Sequence, residues 1–296
     1  MAPATNAART ITATRGQHTA RGRSTARGLL LACHPLPCLA VTLLSTGLGA
    51  LAHLDIERLL LVSAVELAGQ LSIGWSNDWL DAGRDAAVQR TDKPVATGSV
   101  ATGAVAGAAA LALTTTCALA VALGWRAAVV CLAGVACGWL YNLWLKATLV
   151  SWLPYALAFG TLPAVATLTA PRPHWPTPWT LAAATVLGIA AHLANVLPDL
   201  RGDVATGVRG LPHRIGARAS ALATIGLLWA ALVIIVLQPG RHGGWWRWTA
   251  GAAGTIGAVT AAATVRRDPS SRWFFAVSIA VAAADLALFA LRGARL

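Results

Sequence analysis

Charge is scarce in this chain: Asp, Glu, Lys and Arg make up 11% of its 296 residues, against 56% hydrophobic residues and a mean hydropathy of +0.62. That shortage excludes an ordinary soluble domain, and no second, water-soluble domain can be marked off along the sequence. Acidic residues are the scarcest charged type, 11 against 23 basic, and residues 1–28 contain none. Lysine is nearly absent, with only Lys93 and Lys146. Cys33, Cys38, Cys117, Cys131 and Cys137 have no metal-ligand spacing and lie within apolar stretches. They read as small packing residues rather than as a disulfide or metal set.

Long runs rich in Ala, Leu, Val and Gly fill the chain instead. At roughly 20 residues per membrane span they predict helices near 29–50, 57–76, 99–123, 127–145, 152–170, 179–198, 217–237, 245–264 and 272–291. The expected fold is all-α: a polytopic membrane protein of about nine transmembrane helices in a bundle around a central cavity. Residues 1–28 read as a disordered basic cytoplasmic tail, and 29–296 as a single domain built from two similar halves. With the N-terminus inside, sixteen of the 23 basic residues fall on the cytoplasmic face, in keeping with the positive-inside rule. The lipid bilayer thus accounts for the net charge of +12 without nucleic acid as a partner. The Ala/Arg bias points to a bacterial plasma membrane, with the charged loops cytoplasmic.

Those few acidic residues are not scattered. Asn77, Asp78, Asp81 and Asp85 follow the second predicted span; Asn195, Asp199 and Asp203 follow the sixth. Asn77, Asp81, Asp85 and Gly98 map onto Asn195, Asp199, Asp203 and Gly216 at one offset of 118 residues. A spacing of four sets each Asn and its two Asp on one helical face, roughly 6 Å apart per step. Carboxylates so placed repel one another unless a cation lies between them. Pro198 is expected to kink the sixth helix just before Asp199.

Mg2+ prefers oxygen ligands and is typically held by one or two carboxylates together with substrate phosphates. Two facing acidic clusters could hold such ions and, through them, a diphosphate. Arg90, Lys93, Lys146, Arg201 and Arg214 are the available bases for it. The apolar surroundings suit a hydrocarbon tail, and a prenyl diphosphate has that amphipathic shape. Glu66 and Gln70 share a face with Asn77 and Asp81 and could line an acceptor cavity or hydrogen-bond between helices. His192 lies one turn before Asn195 and could touch an acceptor or simply be structural. Asp285 in the last span has no partner legible in the sequence.

Asn77-Asp78-x-x-Asp81-x-x-x-Asp85, with Asp92-Lys93-Pro94 and Gly98, resembles the first signature of the UbiA superfamily of intramembrane prenyltransferases. Asp199-x-x-x-Asp203, followed by Gly207 and by Leu211-Pro212-His213-Arg214-Ile215-Gly216, is similar to its second. Tyr141-Asn142-Leu143-Trp144-Leu145-Lys146 resembles the end of the family's fourth helix. His34-Pro35 departs from the Arg-Pro often found at the start of helix one, and Pro198 is a second departure. The resemblance implies transfer of a prenyl group from a polyprenyl diphosphate donor to a small acceptor, aromatic or a quinone precursor. Asp78, Asp81, Asp85, Asp199 and Asp203 would hold Mg2+, Lys146 with Arg90, Lys93 or Arg214 would bind phosphate, and Asn77 and Asn195 would orient ligands. Tyr141 or Trp79 would face the allylic cation. A terpene cyclase of the same architecture is the alternative reading, and a cation transporter a more distant one.

Overall fold

Regular structure begins earlier than the sequence boundary. The computed structural model describes residues 25–237, together with 249, 251, 252, 254–258 and 281, and α1 (Thr25–Ala32) takes up the last four residues of the expected tail. It runs into α2 (Pro35–Leu51) through a 58° bend. Pro35 is tolerated there because the first helical N–H has no partner within the helix. His34 at the bend holds a left-handed backbone, φ 56°, a conformation unfavourable for a side chain that bears a Cβ.

α3 (Ile56–Ala87) is capped by Asp55, whose carboxylate accepts from the Arg58 N–H, as expected of an N-cap. Its 32 residues reach roughly 48 Å at 1.5 Å per residue, against a hydrocarbon layer of roughly 30 Å. The last third, with Asp78, Asp81 and Asp85, therefore extends beyond the apolar zone. α4 (Thr102–Ala120) and α5 (Trp125–Leu143) are separated by a 3-10 turn, Val121–Leu123, and by Gly124. Gly124 adopts φ 89°, which a side chain would resist. α6 (Leu153–Thr169) contains Pro163, and α7 (Pro178–Val196) stops two residues before Pro198. Two short helices follow, α8 (Leu200–Ala205) and α9 (Leu211–Ile215), then α10 (Ala217–Leu237).

Every described element is helical. Five helices are long and apolar enough to cross a membrane, and the bent α1–α2 pair would make a sixth; α6 is a shorter apolar helix. The chain is an integral membrane protein. Seven of the nine predicted spans coincide with helices, while those at 245–264 and 272–291, with Asp285, lie largely or wholly outside the described residues. α3 packs on α2 and α4, α7 packs on α6 and α10, and α5 touches both groups through α3 and α6. α2 and α6 each have 17 residues and begin 118 apart, the offset of the acidic motifs. Gly98 and Gly216 share that offset and both adopt a left-handed backbone, φ 72° and 83°.

The α1–α2 bend is seated directly on α3. A Cβ added to Gly74 would lie 2.1 Å from the Cys33 carbonyl oxygen, Trp75 Nε1 donates to the Leu29 carbonyl, and the Cys38 thiol donates to the Gln70 carbonyl. Gly74→Ala is expected to destabilise the bundle by about 1–3 kcal/mol through backbone overlap. Thermal unfolding in detergent measures it; an unchanged midpoint would mean that the bend is not held on α3.

Candidate active site

The first acidic cluster keeps the helical register that its spacing requires, because α3 runs unbroken to Ala87. Asp78 is buried, 1% exposed, and its Oδ1 accepts from Lys93 Nζ at 2.7 Å. His34 Nε2 lies 2.8 Å from the same oxygen and 3.1 Å from Lys93 Nζ. Asp81 accepts from Lys146 Nζ through both oxygens, at 2.6 and 2.7 Å, and pairs with Arg84. Asn77 Nδ2 donates to Asp81 at 3.4 Å and to Asn142 Oδ1 at 3.3 Å. Asn142 in turn donates to the Ile73 carbonyl and to Ser76 Oγ. Two contacts of equal sequence separation, Asn77 with Asn142 and Asp81 with Lys146, thus lock the end of α3 to the end of α5.

The second cluster does not lie on one helix. α7 ends at Val196, Pro198 falls in a turn, and Asp199 is the N-terminal boundary of α8, which carries Asp203. The expected kink is a full break, since proline cannot donate to the preceding turn. Asn195 is thereby separated from the helix bearing Asp203 and donates instead to the Tyr155 hydroxyl at 3.2 Å. Asp199 pairs with Arg90 at 3.1 Å, and Asp203 lies 3.2 Å from His213 Nε2.

Basic side chains carry the two clusters toward each other. Arg90 comes from the loop after α3, makes two hydrogen bonds to Asp92 at 2.8 and 2.9 Å, and reaches across to Asp199. Asp92 is held at a pKa of about 2, first by its hydrogen bonds from Arg90, and Arg90 is raised above its ordinary value by the same pairing. Asp85 also acts on Arg90, so one guanidinium senses both halves. Lys146 is buried, which lowers its pKa by desolvation, while the charges of Asp81 and Asp203 oppose that shift. Tyr141 precedes Asn142, to which Asn77 of the first cluster donates, and its ring touches Tyr155, to which Asn195 of the second motif donates.

An aromatic layer lies beneath. Tyr141, Tyr155 and His192 are in mutual edge or tilted contact at 5.1–5.6 Å between ring centres, and Phe159 stacks on Tyr155 at 6.2 Å. His192 is fully buried and lies 3.1 Å from Ser151 Oγ, which accepts from the Leu211 N–H at 3.0 Å. Gly210 packs so closely that an added Cβ would lie 2.4 Å from the Lys146 carbonyl oxygen. Ser151 therefore ties α7 and the second acidic segment to the turn that carries Lys146.

Among the described residues, no three Asp, Glu, His or Cys side chains already converge as a metal centre. The donors nevertheless fit a hard divalent cation, since they are carboxylate oxygens held near one another. Asp78 Oδ2 is buried without a hydrogen-bond partner among the described residues. Protein cations already stand against Asp81 and Asp199, where a metal charge would serve the same end.

Several expectations need correction. Arg214 is exposed and its Nε donates to the Arg209 carbonyl, so it faces its own loop rather than an acidic cluster. Trp79 is largely turned outward, 37% exposed. Glu66 is buried and accepts from Gln70 on its own helix, not from a neighbouring one. His34, Asn142, Ser151, Tyr155 and His213 were not singled out as site residues. His34 stands where the resembled family often has a cation, and Asn142 and His213 fall inside the quoted motifs; Ser151 and Tyr155 left no trace in the sequence.

Ser151→Ala would strip a partner from both the buried His192 ring and the Leu211 N–H. The expected cost is about 1–3 kcal/mol for each group left unsatisfied, read as a lower unfolding midpoint; an unaltered midpoint would dissolve this hub.

The sequence profile of the UbiA prenyltransferase family matches residues 38–284. None of the curated proteins matches the chain in sequence. Among solved structures, a UbiA homologue from Archaeoglobus fulgidus bound to DMAPP and Mg2+ is similar with a TM-score of 0.69, 15% identity, and coverage of 88% of this chain and 97% of that one. A structure described for digeranylgeranylglyceryl phosphate synthase gives a TM-score of 0.68 at 15% identity, covering 92% and 99%. The apo UbiA homologue from Aeropyrum pernix K1 gives 0.60 at 16%, covering 84% and 94%. These likenesses establish a shared fold, and the profile spans most of the sequence: the chain belongs to the UbiA prenyltransferase family.

Proposed function

We propose that this chain transfers a prenyl group from a polyprenyl diphosphate to a small acceptor within the membrane, in an Mg2+-dependent reaction. The observation that carries this reading is that Arg90, from the loop after the first acidic cluster, pairs with Asp199 of the second, while Lys146 pairs with Asp81 and its carbonyl packs on Gly210 of the second acidic segment. The Archaeoglobus fulgidus homologue was solved with DMAPP or GPP and Mg2+, ligands of the proposed kind. Asp78, Asp81, Asp85, Asp199 and Asp203 would hold Mg2+, which when bound supplies Lewis-acid stabilisation of the charge on the leaving diphosphate.

The chain's own bases supply the rest of the anion site. Lys146, Lys93 and Arg90 are now paired with carboxylates; once those are neutralised otherwise, the same ammonium and guanidinium groups are free to bind phosphate oxygens. Asn77 and Asn195 orient the carboxylates and the aromatic layer beside them. Tyr141 offers its ring to the allylic cation, and the surrounding helices keep water from quenching it.

The equal offset of α2 and α6, of the motifs and of Gly98 and Gly216 supports two similar halves around one cavity. Lys93, Lys146, Arg84 and Arg90 gather at the mouth, which supports a cytoplasmic mouth in a bacterial plasma membrane.

Purified protein given farnesyl or geranylgeranyl diphosphate is expected to release diphosphate with Mg2+ and not with EDTA. Asp81→Asn or Asp199→Asn should lower that rate by roughly 100-fold or more while thermal unfolding shows a folded protein. Wild-type rates from both variants would remove the proposed site. Cyclic hydrocarbon as the sole product would mark a cyclase, and metal flux in proteoliposomes without diphosphate release a transporter.

A further inference from the structure

Tyr155 occupies the boundary between the charged mouth and the apolar interior. Above it, its hydroxyl oxygen accepts from Asn195 Nδ2, one turn before Asp199. Below it, Phe159 stacks on its ring and lines a small apolar cavity of about 60 Å³ with Leu44, Leu48, Leu162, Ala183 and Leu187. The two tyrosines of the aromatic layer differ in what surrounds them. Tyr141 lies on α5 next to Asn142, to which Asn77 of the first acidic cluster donates, whereas Tyr155 lies on α6 and is bonded to Asn195 of α7. The Tyr155 side chain keeps part of its surface open. Its oxygen accepts from Asn195, and its O–H remains able to donate, with no acceptor for it among the described residues. A phenol aligned in this way is a donor waiting for an oxygen atom.

The reacting carbon of a prenyl diphosphate must lie at this same boundary, with its head among the carboxylates and its tail among apolar side chains. A nucleophile must approach there too. We infer that the Tyr155 hydroxyl, held by Asn195, is the docking donor for the oxygen of the prenyl acceptor, a phenol-bearing ring that packs against the Tyr141–Tyr155–His192 layer. The inference rests on the prenyl-transfer reading and adds the residue that selects the acceptor. No hydrogen bond joins Tyr155 to an aspartate, lysine or arginine among the described residues, so donor and acceptor parameters are expected to separate when its hydroxyl is removed.

The test uses the full chain with geranylgeranyl diphosphate, Mg2+ and two probes, 4-hydroxybenzoate and 1,4-dihydroxy-2-naphthoate. Tyr155→Phe is expected to raise the acceptor KM roughly tenfold, the effect of one lost hydrogen bond in a dry site. The donor KM and acceptor-free diphosphate release should stay unchanged. In wild type, benzoate should inhibit about tenfold more weakly than 4-hydroxybenzoate binds, and that difference should vanish in Tyr155→Phe, since both changes delete one contact. The wild-type arm stands even if the variant does not fold, and equal affinities for the two ligands there would overturn the inference. An unchanged acceptor KM overturns it, as does a parallel shift in donor KM, which would make Tyr155 a support for Asn195 and Asp199. Diphosphate release by wild type without transfer to either probe also overturns it and leaves the donor site standing. Failure of wild type to release diphosphate from any donor removes the prenyl-transfer reading itself.

Discussion

Ionised carboxylates at the edge of a hydrocarbon layer must be neutralised, and this requirement organises the molecule. Asp78 is nearly sealed from solvent and takes Lys93 and His34; Asp81 takes Lys146 and Arg84; Asp199 takes Arg90. In these pairs the base often comes from a different element than the acid. Except for Asp81 with Arg84, both on α3, each pair is also a fastening between different segments. Buried ion pairs of this kind add little net stability, because desolvation offsets attraction. Their value lies in specifying which segments meet and in keeping both signs of charge ready at one mouth.

Backbone breaks deliver those partners. The bend at His34 and Pro35 is possible because α3 presents Gly74, which lets the Cys33 carbonyl approach to a distance that no side chain would allow. That close seat brings His34 to Asp78. The break at Pro198 frees Asn195 from the register of the second motif and turns it toward Tyr155. The two halves therefore share an offset and a pattern but not a geometry. One acidic set lies along an unbroken helix, and the other is folded around a corner. That asymmetry leaves the first set, along α3, tied to bases and the second motif beside aromatic surface.

Much of the fold was legible because hydropathy is additive along a helix: seven predicted spans coincide with helices, with ends displaced by a few residues. α3 ran longer than the predicted span because its last turns are polar yet still helical, held by Asn142 at the end of α5 and by Lys146 in the turn that follows it. The acidic residues of the site were legible through their spacing, and Lys146 through its place at the end of the fourth span. Tyr155 and Ser151 were not. Each is an unremarkable residue in or beside an apolar segment, and its meaning comes from a partner 40 or 41 residues away. Arg214 lies in the quoted motif yet turns to the Arg209 carbonyl, since charge in a motif says nothing about the direction of a flexible side chain.

The amino-acid order alone determined that the chain lives in a bilayer, that its helices begin and end near particular prolines and glycines, and that two acidic motifs recur at a constant offset. These properties depend on hydrophobic transfer and on helical periodicity, which act over a few neighbouring residues. Tertiary structure decided which base neutralises which acid, that the second motif is broken, and that Tyr155 borders both charge and hydrocarbon. Those outcomes depend on contacts such as Asp81 with Lys146 and Asp199 with Arg90, separated by 65 and 109 residues. Only the packing of whole helices, with the dry interior it creates, brings such pairs within hydrogen-bonding distance.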